Sequence, residues 1–249
     1  MYRKKACVVL PTYNEAGNVP ILIPRILRAA EHLPEFDLHV LVVDDASPDG
    51  TAREVERLSR GHPEVSLLCG RKQGIGEAYQ RGMAHALTAF DPDLIVQMDA
   101  DLQHDPSLLP ALILSCDSGY DVAIGSRLVP GGSLGDIPWV RRVLSRLGNR
   151  LLRLLISPEG PRDCTSGFRC IRADLLNRID SSTPLPRGHA FLWVFLQSLL
   201  QVGDRTVQVQ EIPMQFHPRG HGKSKLGVRM ALDSATHLVR CALRRSRTP

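Results

Sequence analysis

Hydrophobic residues in the first half of the chain form short runs, and most of these runs end in polar or acidic residues. The runs lie at residues 6–10, 39–45, 65–69, 94–98 and 121–125, and stretches with helical periodicity lie between them at 19–32, after 51, at 74–90 and at 106–115. Short apolar runs with β-branched residues are typical of strands that are buried on both faces. The alternation therefore predicts an α/β fold with a mostly parallel sheet that is flanked by helices on both faces.

Two local features of this half lead to more detailed expectations. Pro11 lacks the N–H that a strand uses for pairing, so we expect the first strand to end before it. Residues 47–50 have the composition of a turn. The stretch from Thr51 to Glu54 has the spacing of a capping box, which predicts the start of the second helix.

The second half of the chain is patterned differently. Further strands are predicted at 163–171 and 206–215, and helices at 139–156, 191–202 and 227–244. No stretch with the composition of a linker separates the two halves. We therefore expect a single domain over residues 1–249.

The predicted helix at 139–156 carries two stripes of side chains. The first is apolar and the second is basic: Val140, Leu144, Leu147, Leu151 and Leu154 form the first, and Arg142, Arg146, Arg150 and Arg153 form the second. A basic amphipathic helix of this kind suits an anionic membrane surface. The same pattern fits a helix that packs on the sheet and exposes its arginines, so the residues alone leave both interpretations open.

Composition narrows the class of protein. The 249 residues carry a formal net charge of +5, and only 5% are aromatic, which argues against a nucleic-acid platform built on stacking side chains. No apolar run reaches the ~18 residues of a membrane-spanning helix. The six cysteines have no paired spacing, so we expect reduced thiols and a cytoplasmic protein that is soluble or lies on a membrane surface.

The apolar run at 94–98 ends in acidic residues. Asp99 and Asp101 follow it directly, and Gln103 comes two residues later. Open α/β sheets bind ligands at the carboxyl ends of their strands, and Mg²⁺ accepts one or two carboxylates while taking its other ligands from water and phosphates. These residues therefore predict a divalent metal site. The alternative is a loop whose acids only cap the next helix.

Seven segments at or near the predicted strand ends occur in a characteristic order. They read Pro-Thr-Tyr-Asn-Glu at 11–15, Val-Asp-Asp-Ala-Ser-Pro-Asp-Gly at 43–50, Lys-Gln-Gly-Ile-Gly at 72–76, Asp-Ala-Asp-Leu-Gln-His at 99–104, Gly-Ser-Arg at 125–127, Thr-Ser-Gly-Phe-Arg at 165–169 and Arg-Gly-His-Gly-Lys-Ser-Lys-Leu at 219–226. Together they resemble the inverting glycosyltransferases of family 2, which have the GT-A fold, and more narrowly the dolichol-phosphate and polyprenol-phosphate mannose synthases. Each segment alone is a weak signal, and the ordered set carries the resemblance.

The resemblance implies roles for individual residues. The donor nucleotide and its phosphates are expected to contact Pro11, Tyr13, Glu15, Val43, Asp44, Asp45, Lys72, Asp99, Ala100, Arg127, Arg219 and Lys225. The metal, Mg²⁺ or Mn²⁺, is expected on Asp99, Asp101 and Gln103. The expected catalytic residues are Asp101, Arg127, Arg219 and Lys225. Residues 1–125 then form the half that binds nucleotide sugar and metal, and residues 126–249 form the acceptor half.

Some of these residues have simpler interpretations. A lone tyrosine such as Tyr13 is often a half-buried core residue, and Lys72 fits an exposed turn equally well. Three histidines fit loop or capping roles better than the role of a catalytic base: His104, His217 and His221.

The expected acceptor chemistry explains why no catalytic base is required. A hydroxyl acceptor needs a general base, whereas a phosphate monoester, with a second pKa near ~6, is already anionic. Residues 166–168 are expected to form a turn on the acceptor side, with packing of Phe168 beneath the turn as the alternative. Many relatives carry an acid where this chain has Val194, and a phosphate acceptor tolerates that loss better than a hydroxyl acceptor does.

The implied reaction is inverting transfer of a hexose, with mannose from GDP-mannose favoured, to a polyprenyl or dolichyl phosphate on the cytoplasmic face of a membrane. The resemblance also allows a membrane-anchoring subunit as a partner. Two alternatives keep the fold: a UDP-glucose donor, or a soluble acceptor. A third is a non-catalytic basic module that binds lipid or nucleic acid, although the chain has no recognised nucleic-acid motif.

Overall fold

A seven-stranded sheet runs through the computed structural model, which describes residues 3–179, 184–202 and 205–220. The strands are β1 (Lys4–Thr12), β2 (Phe36–Asp44), β3 (Val65–Cys69), β4 (Leu94–Gln97), β5 (Val122–Ser126), β6 (Arg169–Arg172) and β7 (Val209–Pro213). They lie in the order β3-β2-β1-β4-β6-β5-β7, and β6 is the one strand of the seven that runs antiparallel to its neighbours. The predicted α/β fold with a mostly parallel sheet is confirmed.

Helices cover both faces of this sheet. They are α1 (Val19–Ala30), α2 (Thr51–Ser59), α3 (Ile75–Ala89), α4 (Leu109–Asp117), α5 (Trp139–Ile156), α6 (Ala173–Leu176) and α7 (Phe191–Leu200), with a 3-10 turn at Pro106–Leu108. Successive residues of β1 point into two core clusters. Val8 packs in the cluster that contains residues of α1 and α4, whereas Val9 packs in the one that contains residues of α3 and α7. The predicted helix at 227–244 lies outside the described residues.

β1 continues through Pro11, so the expectation that the proline ends this strand is wrong. Pro11 pairs with Val43 of β2. Backbone groups along a parallel strand point alternately to its two neighbours, and the carbonyl of Val9 faces β4, where it accepts the N–H of Met98. Pro11 therefore faces the same side, but the pairing of β4 with β1 stops at Gln97. The missing N–H costs the sheet no bond at this position.

The start of α2 also differs from the expectation. Gly50, with a φ of 92°, is the N-cap residue in place of Thr51, and Asp49 Oδ1 accepts the N–H of Thr51 (3.0 Å). The Thr51 hydroxyl instead donates to Asp49 Oδ1 (2.6 Å) and accepts the N–H of Glu15 (2.9 Å). The predicted capping box is therefore wrong, and the hydroxyl ties α2 to the loop after β1.

β6 and β7 are shorter than predicted. Pairing of β6 begins at Arg169, and the predicted strand at 206–215 is reduced to β7. Residues 163–168 form a loop in which Asp163 and Thr165 bond to the side chain of Arg127. Side-chain bonds thus hold this stretch where backbone pairing was expected.

α5 has the predicted bounds, but only one side of it packs against the protein. Its buried residues are Asn149, Leu152 and Ile156. Seven of the ten exposed large hydrophobic residues in the described part of the chain lie on α5, and we call them the apolar stripe: Trp139, Val140, Val143, Leu144, Leu147, Leu151 and Leu154. The interpretation in which this stripe packs on the sheet is therefore wrong. Of the helices in the described ranges, none has both the length and the hydrophobicity to cross a membrane.

Candidate active site

The loops that follow β1, β2 and β4 meet at one edge of the sheet. Each contains a non-glycine residue with positive φ: Asn14 (61°), Ala46 (54°) and Leu102 (66°). Such residues are uncommon and concentrate at functional sites, where the surrounding structure holds the strained backbone. Three of the four found in the described residues lie at this edge, which makes it the candidate site.

Asp99 is held in place but remains accessible. The hydroxyl of Tyr79, from α3, donates to Asp99 Oδ1 (2.8 Å). Burial and the neighbouring Asp99 charge raise the pKa of Tyr79, so its hydroxyl stays a donor at neutral pH. Gly167 faces the carboxylate, and a Cβ at this glycine would lie 3.2 Å from Asp99 Oδ2. The Asp99 side chain is 27% exposed, so a ligand can reach it.

His104 supports this turn from below. Its Nδ1 accepts the backbone N–H of Asp99 (3.1 Å), and its ring stacks on Phe168 with centroids 5.1 Å apart. Burial lowers the pKa of His104, although the charges of Asp99 and Asp101 act in the opposite direction. A buried ring with one nitrogen already bonded suits a structural role, and the fully buried Phe168 fits the alternative of packing beneath the turn.

Asp101 is paired with Arg219 from the segment after β7. Asp101 Oδ2 accepts bonds from Nη2 (2.8 Å) and Nε (3.2 Å) of Arg219, and Oδ1 accepts the N–H of Gln103 (3.1 Å). The same Nη2 lies 3.8 Å from Oε1 of Glu15, whose other oxygen accepts a bond from Asn18. One arginine thus joins the loop after β1 to the Asp-x-Asp turn. The structure brings together Glu15, Asp101 and Arg219 as the sequence predicts.

Residues 217–220 are also bonded to this turn through their backbone. The N–H of Gly220 donates to the carbonyl of Asp101 (3.1 Å), and the N–H of His217 donates to the carbonyl of Gln103 (3.1 Å). The side-chain nitrogen of Gln103 in turn donates to the carbonyl of His217 (3.2 Å). Gln103 therefore anchors the segment with its amide nitrogen, which leaves its oxygen for the predicted metal role.

Asp44 and Asp45, at the end of β2, have different surroundings. Asp44 accepts bonds from the hydroxyls of Thr12 (3.0 Å) and Ser47 (2.6 Å) and from the N–H of Ser47 (2.9 Å), so it holds the loop together. Asp45 accepts a bond from Nη2 of Arg81 (2.7 Å), an α3 residue whose side chain is 23% exposed. The pair presents a cation at the end of the edge where the nucleotide is expected.

Tyr13 and Lys72 come together although they follow different strands. The ammonium of Lys72 lies 3.4 Å from the centroid of the Tyr13 ring, a cation–π contact, and Pro11 nearby is partly exposed.

Val43 is fully buried in the cluster beneath α3, and Ala100 packs in the opposite cluster. Both residues are buried, and the donor contacts predicted for them stay predictions.

Arg127, at the end of β5, is paired with a buried acid. Its Nε and Nη2 donate to the two oxygens of Asp163, both at 2.7 Å, and Nη2 also donates to the hydroxyl of Thr165 (2.9 Å). Burial alone would raise the pKa of Asp163, but the charge of Arg127 and its bonds lower it below the ordinary value. The pair fixes the guanidinium at the site, where its predicted contact with a phosphate stays a prediction.

The glycines after β3 allow close backbone packing. A Cβ at Gly76 would lie 2.3 Å from the carbonyl oxygen of Pro186, and the Gly76 N–H donates to the carbonyl of Arg187 (2.7 Å). Gly74 adopts a φ of 111° beside the same stretch. The start of α3 is therefore covered by residues 186–187.

The donors at the Asp-x-Asp turn fit a divalent metal. Hard cations such as Mg²⁺ and Mn²⁺ prefer carboxylate oxygens, and this turn offers those of Asp99 and Asp101. Within the described ranges no group of three or more His, Cys, Asp or Glu could hold a metal. Because Arg219 occupies Asp101 Oδ2, a metal that uses this oxygen must displace the guanidinium.

Three residues at the site were missed from the sequence: Tyr79, Arg81 and Asp163. The two on α3 look like ordinary helical residues, because their role depends on which strand ends α3 crosses. Asp163 did give a signal, since an acid at the start of a predicted buried strand needs a partner. Val194, on α7, packs partly against the core. Lys225, Lys223 and His221 lie outside the described residues.

Comparisons with known proteins identify the family of this chain. The sequence model of glycosyl transferase family 2 matches residues 7–180. The chain belongs to this family. A polyprenol monophosphomannose synthase of Mycolicibacterium smegmatis is 35% identical to this glycosyltransferase, over 95% of this chain and 92% of its own. An undecaprenyl-phosphate mannosyltransferase of Micrococcus luteus is 34% identical, over 96% of this chain and 94% of its own.

Solved structures share the fold of this glycosyltransferase. Mannosyl-3-phosphoglycerate synthase from Rubrobacter xylanophilus matches with a TM-score of 0.68 and 23% identity, over 98% of this chain and 74% of its own. A mannosyltransferase from Pyrobaculum calidifontis, in complex with GDP-Man and Mn²⁺, matches with a TM-score of 0.62 and 18% identity, over 100% of this chain and 66% of its own. The fold is GT-A, as the resemblance implied.

Proposed function

We propose that this glycosyltransferase transfers mannose from GDP-mannose to a polyprenyl phosphate at a membrane surface, with inversion at the anomeric carbon. The two relatives of similar length are named for mannose and for polyprenyl-type phosphates. The observation that carries the proposal is the exposed apolar stripe on α5, a helix that contacts the site loop through Asn149 and Thr165. A polyprenyl acceptor keeps its tail in the membrane, so its phosphate must be met by a site beside a membrane-facing surface.

The proposed chemistry assigns the residues of the site as follows. Tyr79 orients Asp99, which with Asp101 would hold Mg²⁺ or Mn²⁺. When bound, the metal supplies positive charge that stabilises the leaving nucleoside diphosphate. Arg219, once the metal displaces it from Asp101, would add a second cation for the same charge. The acceptor phosphate is already anionic at neutral pH and needs no base, which is consistent with the buried position of His104.

We also propose that the enzyme binds peripherally to the cytoplasmic face of the membrane. The apolar stripe would enter the interface between headgroups and acyl chains, and the arginines of α5 would face anionic headgroups. Cysteines without paired spacing support the cytoplasmic side of this proposal.

A panel of sugar nucleotides tests the function. Labelled GDP-mannose, GDP-glucose and UDP-glucose are each incubated with the enzyme and Mn²⁺, with and without undecaprenyl phosphate in vesicles, and label is counted in the lipid fraction. We expect label from GDP-mannose only, and only when both the lipid and the metal are present. Lipid labelling from UDP-glucose would identify a glucosyltransferase instead. No label in the lipid fraction from any of the three donors would contradict a polyprenyl phosphate acceptor.

A further inference from the structure

Asn149 is the one polar residue among the three that α5 buries against the protein. It is 3% exposed and lies two residues, or about half a helical turn, from both Leu147 and Leu151. These two leucines belong to the apolar stripe, so Asn149 points inward where they point outward.

The side chain of Asn149 is bonded to the loop before β6. Its Oδ1 accepts the N–H of Cys164 (2.9 Å), and its Nδ2 donates to the hydroxyl of Thr165 (3.2 Å) and to the carbonyl of Ser145 (3.0 Å). A backbone N–H can only donate, which fixes the orientation of the amide. Asn149 is therefore tied both to α5 and to the site loop.

The same threonine contacts the site arginine. The hydroxyl of Thr165 accepts a bond from Nη2 of Arg127 (2.9 Å) and lies 3.3 Å from Oδ1 of Asp163. Burial acts to lower the pKa of Arg127, but the charge and bonds of Asp163, and after them the charge of Asp99, raise it above the ordinary value. Two consecutive side-chain bonds thus connect α5 to Arg127.

We propose that Asn149 is a positioning residue, through which the seating of α5 on a membrane orients Arg127 toward the acceptor phosphate. The proposal rests on the proposed function of the enzyme. Buried hydrogen bonds of this kind hold their groups in place, so a small tilt of α5 is transmitted to the hydroxyl of Thr165 and from there to the guanidinium. The membrane would then act on the site through Asn149, and not only by concentrating the acceptor.

A double-mutant cycle separates this role from a merely structural one. Asn149→Ala, Thr165→Val and the double variant are assayed for mannosyl transfer to undecaprenyl phosphate in anionic vesicles. Each single variant should raise the acceptor KM by about tenfold, with the KM for GDP-mannose unchanged, and the double variant should resemble the single ones. Leu152→Ala, on the same buried side of α5, should lower stability without changing the acceptor KM. A double variant whose fold rise in the acceptor KM equals the product of the two single rises would overturn the proposal. An unchanged acceptor KM in Asn149→Ala would do the same.

Asn149→Asp replaces Asn149→Ala in the kinetic assay if the alanine variant does not fold. It keeps the acceptor for the Cys164 N–H and removes the donor to Thr165, so it should show the same rise in the acceptor KM. An Asn149→Asp variant with the KM of the wild type would overturn the proposal in the same way.

A measurement without substrates distinguishes this proposal from the proposed function. Hydrogen exchange of the Cys164 amide is followed in the wild type and in Asn149→Ala, which removes the acceptor of this N–H, with and without anionic vesicles. Vesicles should slow exchange at Cys164 at least severalfold in the wild type but not in the variant. Unchanged exchange in vesicle-bound wild type would refute the coupling. Absence of any mannosyl transfer by the wild type would instead refute the proposed function, and the exchange result would still decide the coupling.

Discussion

Asp101 is the residue on which the ion pair and the proposed metal site converge. Asp101→Asn should abolish mannosyl transfer, because a neutral amide is a poor replacement for a carboxylate that binds a hard cation. The fold should remain, since the amide oxygen can still accept the N–H of Gln103. Transfer is measured at saturating Mn²⁺, together with thermal unfolding.

Asp105 offers a matched control for this variant. It is an acid on the same loop, but its carboxylate caps the 3-10 turn by accepting the N–H of Ser107 (3.0 Å). Asp105→Asn should therefore keep most of the transfer activity. An Asp101→Asn enzyme that stays fully active in the presence of a chelator would show that the metal is not bound here.

Replacing Arg219 should strengthen metal binding and lower turnover. Arg219→Ala removes the guanidinium that occupies Asp101 Oδ2, so Mn²⁺ should bind more tightly in the absence of donor. Turnover should nevertheless fall by roughly one to three orders of magnitude, because a second cation for the leaving diphosphate is lost. Calorimetric titration of Mn²⁺ and the transfer assay measure the two effects. Weaker Mn²⁺ binding would mean that the arginine does not compete for this oxygen.

Asp163 should make stability depend on pH. Its pKa is lowered in the folded state, so the stabilisation is present above the ordinary carboxyl pKa of ~3.9 and is lost as the pH falls through the lower folded value. Asp163→Asn should lower the free energy of unfolding at pH 7 by about 3 kcal/mol, and the difference from wild type should shrink below pH ~4. Urea unfolding at pH 7, 4 and 3 measures this.

Asp174 is the exposed counterpart of Asp163. It pairs with Arg172, but both side chains are more than two-fifths exposed, so Asp174→Asn should cost at most about 1 kcal/mol at pH 7. Equal costs in the two variants would mean that burial does not strengthen the Arg127–Asp163 pair.

Sequence reasoning at this scale worked best for residues in loops directly after strands. Glu15, Asp99 and Asp101 meet because the carboxyl ends of parallel neighbours lie at the same edge. It did not reveal that Val43 packs beneath α3, since the sequence does not say to which face of a doubly covered strand a residue points. It also missed Tyr79, because the position of a helical side chain at the site depends on how the helix crosses the sheet.

At the scale of single elements, α5 should bind membranes through its apolar stripe. Leu144→Gln, Leu147→Gln and Leu151→Gln together remove side chains that are each worth about 1.5 kcal/mol when buried. Arg142→Gln, Arg146→Gln and Arg150→Gln together remove about 1 kcal/mol per arginine on an anionic surface. Both triple variants should bind anionic vesicles more weakly in sedimentation assays, and only the leucine variant should also lose binding to neutral vesicles.

An exposed leucine elsewhere provides the control. Leu114, on α4, is 43% exposed but has no neighbouring stripe, so Leu114→Gln should bind vesicles like the wild type. Equal losses in Leu114→Gln and in the leucine triple variant would assign vesicle binding to general hydrophobicity. Unchanged sedimentation of both triple variants would show that α5 does not dock on membranes.

The bounds of α5 could be predicted because a long amphipathic period is a strong signal, but its exposure could not. The same period is found in a helix that packs on the sheet, and only the structure shows whether other residues cover the apolar side of α5. Short elements were harder. β6 begins at Arg169, six residues after the predicted start, because bonds to Arg127 hold the intervening loop.

At the scale of the whole molecule, one sheet joins two groups of loops that, on our proposal, serve substrates from different phases. β4, from the half predicted to bind the donor, pairs with β6, from the half predicted to bind the acceptor. The Asp-x-Asp turn follows β4 and thus lies between the two. On our proposal, the sugar nucleotide comes from water on the β1–β2 side and the lipid from the membrane beside α5.

This division predicts that salt raises the KM for the lipid acceptor much more than the KM for the sugar nucleotide. The Debye length falls from ~10 Å at 0.1 M salt to ~3 Å at 1 M, which screens the exposed arginines of α5 from anionic headgroups. Between these concentrations the KM for undecaprenyl phosphate in anionic vesicles should rise several-fold, whereas the KM for GDP-mannose should change far less, because Asp99, Asp101 and Arg219 act at close range. In neutral vesicles, and in the arginine triple variant, the acceptor KM should be nearly independent of salt. An equal rise of both KM values in every vesicle type would place the salt effect in the site itself and would exclude α5 as its origin.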